Sequence, residues 1–510
     1  MKLKVCLSMA LAVLLATGAG LSETPRLHPA GDLLFQDPYT VPGLTVLTEI
    51  PGAPPLATSV DLSAQMPPIG NQGQQGSCVA WSIGYYDKTH AEWVEHRWND
   101  STTNHQISPA FIYNQINGGR DGGAYMSDAQ KLICEQGSCM LSDFPYNQSN
   151  YTTWPSESAY AHGIWYRGQS YSALSVTTDA GINSVKNLLA GGQTCVLGIN
   201  VYSNFDNIQN YNYTYTVHDK YGTNRGGHAV CIVGYNDTMT THDGKGAFKL
   251  ANSWGTSWGK AGYWWMSYYA VKTTSAGLSQ GYVYITNDRT GYKPTALARV
   301  KLTHASRDLI GITFGIGSSK SPLWTKAFRQ FQMLNYTITN QAFPNNNLVF
   351  DLSDGASYLT QTDSIYVRCI DTKQDQLTGK INYLSAQCNG RTGTSPQTPV
   401  SIPDYNTAVF AKLVLPHGMG PQGEPLNASL AASRAELRNG LFSAAFELAR
   451  PGAVRLAVYD DIGRTLAATT AQGQSGPNEL SVELSRPAGV YFYRLESGST
   501  TMTGKLAAIR

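Results

Sequence analysis

The sequence predicts an α+β protein in which a domain with a helical half and a strand-rich half is followed by two smaller β-sandwiches. Helix-like runs succeed one another from residue 78 to residue 135. Apolar or alternating runs typical of strands begin near residue 196 and continue to about residue 253. From residue 293 onward, short strand-like runs are separated by turn residues, which is the pattern of β-sandwiches.

The composition indicates a folded, multidomain chain and gives no sign of a nucleic acid partner. Its 510 residues allow about three domains of ordinary size, and 42% of them are apolar. Only 14% are charged, the net charge is +2, and no run of basic residues occurs. The 30 tyrosines and 50 glycines suit a β-rich extracellular protein better than a disordered one.

The first residues have the pattern of a secretory signal peptide. Lys2 and Lys4 precede an apolar run over residues 5–16, and the small residues T-G-A-G follow it. The alternative is a membrane anchor, but the run is shorter than the roughly 20 residues that a spanning helix needs. We therefore predict a signal peptide over residues 1–21 and no transmembrane span in the mature protein.

Residues 22–57 contain several prolines and show no helical periodicity. We predict a short pro-segment or linker here. Such a segment either lies across a cleft in the following domain or is a solvated connection.

A reactive cysteine is predicted in the stretch N-Q-G-Q-Q-G-S-C-V-A-W-S, which ends in a helix-forming run. Ser77 is a good N-cap, so Cys78 falls in the first helical turn, where unpaired N–H groups and the helix dipole favour a thiolate. Gln72 offers an amide donor that can help to bind an oxyanion, together with the N–H of Cys78. The alternative is a buried structural thiol.

Thiol catalysis also needs a base and a group that orients it. His228 opens the apolar run H-A-V-C-I-V-G-Y, 150 residues after Cys78. Asn252 follows in N-S-W-G-T-S-W-G, where Trp254 and Trp258 could shield its hydrogen bond to the imidazole from water.

These motifs resemble those of the papain-like cysteine peptidases. Q-G-x-x-G-S-C, G-H-A-V-x-x-V-G-Y and N-S-W-G-x-x-W-G-x-x-G-Y occur in the order of that family. The resemblance implies that Gln72 is the oxyanion donor, Cys78 the nucleophile, His228 the base and Asn252 the orienting residue. It further implies a two-subdomain fold over residues 58–288, protein or peptide substrates, and no cofactor or metal.

Two further residues and two departures follow from the same resemblance. Gly122 and Gly123, in D-G-G-A-Y, resemble the glycines that bind the substrate backbone. The family usually has an aromatic residue after the nucleophile, where this chain has Val79. It also usually has a disulfide-bonded cysteine three positions before the nucleophile, where this chain has Gln75. The second departure removes a staple from the helical half.

Secretion predicts disulfides among the other cysteines, because Cys6 leaves with the signal peptide and six remain beside Cys78. Connectivity is not fixed by the sequence. The candidate pairs are Cys134 with Cys139, Cys369 with Cys388, and Cys195 with Cys231, the last of which could also be simple core residues.

No group of His, Cys and Asp has the spacing of a zinc site. We therefore predict surface or capping roles for the remaining histidines of the first domain. These are His90, His96, His105, His162, His218 and His242.

The rest of the chain is predicted as two accessory domains joined by a linker. Residues 293–390 suggest a β-sandwich that binds substrate or a surface, or only packs on the first domain. Residues 391–430, rich in Pro, Gly and Ser, suggest a linker. Residues 431–510 suggest a small C-terminal β-sandwich.

That C-terminal segment resembles the sorting domain of the bacterial type IX secretion system. The resemblance rests on V-Y-D-D-I-G-R at residues 458–464, G-V-Y-F-Y-R-L at residues 489–495, and Lys505 near the end. It implies a Gram-negative bacterium, transit through the periplasm, the type IX machinery as a partner, and a final place outside the cell or on its outer surface. The alternative is one more small sandwich.

Taken together, the motifs predict a secreted cysteine endopeptidase that acts through a thiolate–imidazolium pair and a thioester acyl-enzyme. Two alternatives stay open at this point. The first is a catalytically idle surface-binding protein, and the second is a transglutaminase-like acyltransferase, which would use similar thiol chemistry.

Overall fold

The computed structural model describes residues 28–30, 32–51, 56–98, 100–328, 341–416, 430–438, 440–448, 452–460, 464–474, 476–484, 489–497 and 500–508. The predicted signal peptide, residues 1–21, lies outside them. The chain divides into two compact units, residues 1–415 and 416–510. Among the described helices, none combines the length and the apolar character that crossing a membrane requires.

The helical half of the first unit begins with a continuous helix at Cys78. Its first turn is α1 (Cys78–Ala80), its middle is π-helical (Trp81–Lys88), and its end is α2 (Thr89–His96). Pro109 opens the next helix, and the Ser108 hydroxyl caps it by accepting from the Phe111 N–H at 3.1 Å. The remaining helices are α3 (Pro109–Ile116), α4 (Met126–Gln136), α5 (Glu157–Gly163), α6 (Asp179–Ala190) and α7 (Tyr268–Lys272).

A nine-stranded sheet forms the other half of this domain. Its order is β1-β3-β9-β4-β6-β7-β8-β5, with β2 paired to β6. The long central strand β6 therefore lies between β4 and β7 and against the first helix, where it can carry a residue to the nucleophile. The strands are β1 (Thr45–Leu47), β2 (Ser59–Asp61), β3 (Gly168–Ser175), β4 (Cys195–Tyr202), β5 (Thr214–Tyr215), β6 (Asn224–Thr241), β7 (Gly244–Ala251), β8 (Tyr263–Ser267) and β9 (Ser279–Asp288).

Part of the predicted pro-segment or linker belongs to this sheet. Strand β1 pairs in parallel with β3, with Val46 opposite Ala173. The interpretation of residues 22–57 as a solvated connection is therefore wrong for the part that the structure describes. Backbone hydrogen bonds to the domain replace bonds to water there.

The described strands between residues 296 and 414 form two antiparallel sheets of five and four strands. One has the order β13-β10-β15-β16 with β17 on β15, and the other is β12-β11-β14-β18. Alternate side chains of β10 are buried, as expected for a strand with one face in a core. The strands are β10 (Ala296–Thr303), β11 (Ile310–Gly317), β12 (Pro322–Phe328), β13 (Leu348–Asp351), β14 (Ser364–Asp371), β15 (Gly379–Cys388), β16 (Arg391–Thr394), β17 (Val400–Ile402) and β18 (Val409–Val414).

The predicted linker over residues 391–430 is wrong in its first half. Strands β16, β17 and β18 lie there and complete the two sheets, and the first unit extends to Leu415. Proline and glycine content suggested a linker, but pairing of β18 with β14 along Ser364–Cys369 decides the local structure.

These two sheets pack directly on the helical half. Arg167 forms an ion pair with the buried Asp351 at 2.6 Å. The guanidinium of Arg307 lies 3.8 Å from the ring centroid of Trp154. Such buried contacts make the accessory strands part of the same compact unit.

The second unit contains a three-stranded sheet, β19-β20-β23, and a four-stranded sheet, β22-β21-β24-β25. Both sheets contribute to one apolar cluster that includes Phe442, Phe446, Leu456 and Leu495. The strands are β19 (Leu430–Arg438), β20 (Leu441–Leu448), β21 (Gly452–Tyr459), β22 (Thr465–Gly473), β23 (Gly476–Glu483), β24 (Gly489–Ser497) and β25 (Thr500–Ala508).

The predicted disulfides are not formed. All seven cysteines in the described part of the chain are free and buried. Cys195 is in register with Ile232, whereas Cys231 is in register with Val196, so the two thiols lie on opposite faces of the sheet. Cys369 and Cys388 lie on strands of two different sheets.

Candidate active site

Cys78 occupies the first position of α1, as the sequence predicts, and is fully buried. Ser77 is the N-cap residue, but its hydroxyl makes no capping bond and instead contacts the Tyr146 hydroxyl at 2.7 Å. The prediction of a serine cap is therefore wrong in this detail. Tyr146 in turn donates to the carbonyl of Gln72 at 2.8 Å, so this contact ties together the loop on which Gln72 and Cys78 lie.

His228 lies near the start of β6 and contacts Asn252, which follows β7. The imidazole Nε2 is 2.8 Å from Asn252 Oδ1, and both side chains are fully buried. Burial lowers the pKa of His228 to about 4, and the bond to Asn252 partly opposes that shift. Among the described residues the Nδ1 atom has no hydrogen-bond partner. This nitrogen is therefore the one left for a reacting group.

Strand β6, which carries His228, packs on the helix that begins at Cys78, although among the described residues no hydrogen bond joins the thiol to the imidazole. Cys78 and Ala229, the neighbour of His228, belong to one buried cluster. The Ser82 hydroxyl donates to the Ala229 carbonyl at 2.8 Å, which fixes β6 against the helix. Tyr86, one helical turn further on, donates to the Asn252 carbonyl at 2.8 Å. Ser82 and Tyr86 are not among the residues predicted from the sequence, although both recur at helical spacing after Cys78.

Two tryptophans enclose the histidine–asparagine pair. The rings of Trp254 and His228 are 4.9 Å apart, and Trp258 meets Trp254 edge to face at 5.2 Å. Phe205 packs on both indoles, at 5.3 and 4.8 Å. The predicted shielding of this bond from water is consistent with that arrangement.

Gln72 lies beside the thiol-bearing turn with its amide held on both sides. Its Nε2 donates to the Gln75 carbonyl at 2.8 Å, and its Oε1 accepts from Ser253 at 2.6 Å. Because a primary amide has two N–H groups, one donor remains for an oxyanion. The bond from Ser253 thus fixes the orientation of the Gln72 amide and the direction of its remaining N–H.

The segment Asp32–Leu34 bonds to both the sheet and the helical half of the domain beside these residues. The Leu33 N–H donates to the Gly227 carbonyl at 3.2 Å, and the Leu34 N–H donates to the Ala124 carbonyl at 3.0 Å. The Ala124 N–H donates back to Asp32 at 3.1 Å, which makes a parallel pairing. The side chain of Leu33 is 5% exposed and belongs to the same buried cluster as Cys78.

Glycines line the pocket that Leu33 fills. A Cβ at Gly198 would lie 3.0 Å from Leu33 Cδ2, and one at Gly227 would lie 2.6 Å from the Leu33 carbonyl oxygen. Of the two predicted substrate-binding glycines, Gly123 has a φ of +86°, and a Cβ added to it would lie 2.0 Å from the backbone carbonyl oxygen of Asp32. A Cβ added to Gly122 would have no atom within 4 Å. The backbone hydrogen bonds to Asp32 and Leu34 are made by Ala124.

Comparison with known proteins adds an independent observation. Residues 56–286 match the family model described as papain family cysteine protease. This domain is a papain-family cysteine protease. A domain of this family is a hydrolase and implies peptidase activity.

The chain is also similar to individual proteins. An uncharacterised peptidase C1-like protein of Acanthamoeba polyphaga mimivirus is 29% identical over 244 residues, which cover 45% of this chain and 71% of that protein. Cathepsin B-like CP3 of Giardia intestinalis is 31% identical over 147 residues, which cover 28% of this chain and 46% of that protein. The solved structure of xylellain, a cysteine protease from Xylella fastidiosa, is 22% identical with a TM-score of 0.41, and the match covers 51% of this chain and 96% of that one.

Hydrogen bonds from Gln75 take the place of the disulfide that the papain family usually has three residues before the position of Cys78. Gln75 is 1% exposed, and its amide donates to the Gln148 carbonyl at 3.1 Å and to the Asn147 carbonyl at 3.4 Å. The loop at residues 147–148 is therefore tied to the nucleophile loop without a disulfide. The sequence indicated that a staple was missing but gave no sign of this replacement.

Burial in this arrangement favours the thiol form of Cys78, the predicted nucleophile. Burial raises the pKa of Cys78 far above its ordinary value, and the Asp32 carboxylate raises it further. Backbone N–H groups of Ala229, Val79 and Cys78 itself oppose the shift. The helix terminus was predicted to favour a thiolate, but burial has the larger effect on the pKa of Cys78 in this arrangement.

The covering of the protease cleft is expected to depend on pH through Asp32. Burial, and after it the Asp121 carboxylate, raise the pKa of Asp32 to about 6 against the opposing effect of Arg225. Since the covered form binds this proton more tightly, the covering is firmest at low pH and weakens as the pH rises through about 6. His28, whose pKa is lowered mainly by burial, acts in the opposite sense.

Asp32→Asn isolates the contribution of that carboxylate. We expect Cys78 of the wild type to be alkylated faster at pH 7 than at pH 4, and we expect the variant to lose most of this increase. The measurement is the alkylation rate of each variant divided by the wild-type rate at the same pH. Asp37→Asn, an exposed change in the same segment, is the control and should leave the ratio at one. Equal pH profiles for Asp32→Asn and the wild type would contradict the assignment.

Proposed function

We propose that this chain is a secreted cysteine endopeptidase in which Cys78 is the nucleophile and the described arrangement is its latent form. The observation that carries the proposal is the buried pair of His228 and Asn252 beside the helix that begins with Cys78. The papain-family match supports the class of reaction.

In the proposed mechanism, the Cys78 thiol passes its proton to His228 Nδ1 and attacks a peptide carbonyl. The carbonyl oxygen becomes an oxyanion, held by the free N–H of the Gln72 amide and the N–H of Cys78. His228 then gives the proton to the departing amine, leaving a thioester on Cys78. Water, deprotonated by the same imidazole, hydrolyses the thioester and restores the thiol.

Asn252 serves this cycle as a positioning residue. A neutral amide oxygen at 2.8 Å from Nε2 fixes the ring and stabilises the imidazolium without adding a charge. Trp254 and Trp258 keep water from that bond, so the ring keeps one orientation through both proton transfers.

We propose that Asp32–Leu34 keep the enzyme inactive until they are displaced or cut. Their hydrogen bonds use the backbone groups of Gly227 and Ala124 that a substrate strand would need. Leu33 fills the pocket beside Cys78 that would otherwise take a substrate side chain. This account gives the short N-terminal segment the role of a propeptide.

The test is hydrolysis of unfolded casein under reducing conditions, before and after limited proteolysis of the N-terminal segment. An irreversible epoxide thiol inhibitor should stop hydrolysis and add one mass increment, located by peptide mapping at Cys78. Casein left intact in both states would favour the idle binding protein, and incorporation of a free amine into a glutamine peptide would favour the acyltransferase.

We also propose export through the type IX secretion system, with residues 431–510 as the sorting domain. The three marks of that resemblance lie on or after strands β21, β24 and β25, which are neighbours in one sheet. N-terminal sequencing and intact mass of the protein from culture medium test this. A chain retained in the cell with residues 1–21 still attached would contradict it.

A further inference from the structure

Two histidines and an aspartate that are distant in sequence meet on the strand-rich half of the protease domain. His218 and Asp219 lie in the loop between β5 and β6, and His242 lies in the turn between β6 and β7. Sequence analysis found no zinc spacing and predicted surface roles for both histidines. The residues between them include the whole of the long strand β6 (Asn224–Thr241), and the turn after that strand brings His242 back to the loop that holds His218.

The donor atoms converge on one carboxylate. His218 Nδ1 is 3.1 Å from Asp219 Oδ1, and His242 Nδ1 is 2.8 and 2.9 Å from the two oxygens of that carboxylate. Ligands at 2.0–2.1 Å from a tetrahedral zinc ion lie about 3.3 Å apart. The distance from each histidine nitrogen to the Asp219 carboxylate is therefore close to that between metal ligands, and one ligand atom of each of the three residues lies within 4.8 Å of the others.

Asp219 is held in place for this role. Its side chain is 9% exposed, and the Thr216 hydroxyl donates to Oδ2 at 2.6 Å. Asn204 donates to the Asp219 carbonyl at 2.8 Å.

A second carboxylate joins the two backbone segments. Asp243 accepts from the N–H groups of Val217 and His218 at 2.7 and 3.0 Å, and from the Ser267 hydroxyl at 2.5 Å. Lys220 donates instead to the Ala276 carbonyl at 2.7 Å, so its ammonium is directed to another group. The loop and the turn are thus fixed to each other before any ion arrives.

We propose that His218, Asp219 and His242 bind a transition-metal ion of the Zn²⁺ class. Two imidazole nitrogens and one carboxylate oxygen are a ligand set that zinc accepts. The histidine side chains are 67% and 65% exposed, which leaves the ion open to water at its remaining position. The ion would join the β5–β6 loop to the β6–β7 turn and stabilise both.

The test is calorimetric titration of ZnCl₂ into the full-length chain at pH 7.5, in a background of Cys78→Ala that removes the cleft thiol. We expect one equivalent to bind with a dissociation constant in the micromolar range or lower. His242→Ala alone should weaken it at least about tenfold, and His218→Ala with His242→Ala should abolish it. Zinc should raise the melting temperature of the parent but not of the double variant.

His162→Ala is the matched control. His162 is a half-exposed histidine with one carboxylate partner, Asp143, at 2.6 Å and no second imidazole on that carboxylate. Its loss should leave the zinc affinity unchanged. The proposal is overturned if the parent does not bind one equivalent of zinc. It is also overturned if the double variant binds as many equivalents as the parent. Either result would make the three side chains a hydrogen-bonded surface cluster only.

Discussion

Cys78→Ala is expected to lower kcat/KM for casein by at least about 10⁴-fold, because in the proposed mechanism the thioester forms on the Cys78 sulfur. The thiol lies at the start of α1 and against the strand that carries His228. Loss of the nucleophile leaves only the binding cleft and the oxyanion donors. The measurement is initial-rate hydrolysis by the N-terminally trimmed enzyme, with thermal unfolding followed in parallel.

The comparison variant is Cys369→Ala, which removes another buried thiol from a strand of the accessory sheets. We expect it to reduce the free energy of unfolding but to keep hydrolysis near the wild-type rate. If both variants retain activity, the nucleophile has been misassigned. If both lose activity and melt early, the loss reflects folding, and His228→Gln then tests the chemistry without touching a thiol.

The helix that carries Cys78 and the strand that carries His228 could be predicted from sequence because each has a local signal. Helical periodicity after Ser77 and the apolar run after Gly227 fix the two elements. The resemblance of the motifs to those of papain-like peptidases then predicts that the helix and the strand lie next to each other. The site therefore depends on features that lie within about ten residues of each functional side chain.

Contacts that close over long sequence distances were not predictable. Asp32 reaches Ala124, and His242 reaches Asp219, with no periodicity to announce either pairing. The same reason explains the missed strand β18, whose proline-rich surroundings suggested a linker while its partner β14 lies 45 residues earlier. Long-range pairing decides these cases, and local composition carries little of that information.

Leu33→Ala is expected to raise the activity of the untrimmed chain. Leu33 is 5% exposed and packs beside Gly198 and Gly227, so shortening it removes most of the apolar contact that holds the segment in the cleft. A buried leucine shortened to alanine typically costs about 2–3 kcal/mol, which shifts a two-state opening equilibrium by roughly 30–150-fold. Hydrolysis of a short fluorogenic peptide and alkylation of Cys78 should both rise by a factor in this range.

Phe35→Ala is the natural comparison, since Phe35 belongs to the same segment but is 52% exposed. Its substitution removes a larger side chain from solvent rather than from a pocket, so both rates should stay within about twofold of the wild type. Because limited proteolysis removes the segment altogether, the trimmed forms of all three proteins should be equally active. A Leu33→Ala chain that stays as inactive as the wild type before trimming would show that the segment covers the cleft without controlling it, and latency would then have to come from the Cys78 thiol itself.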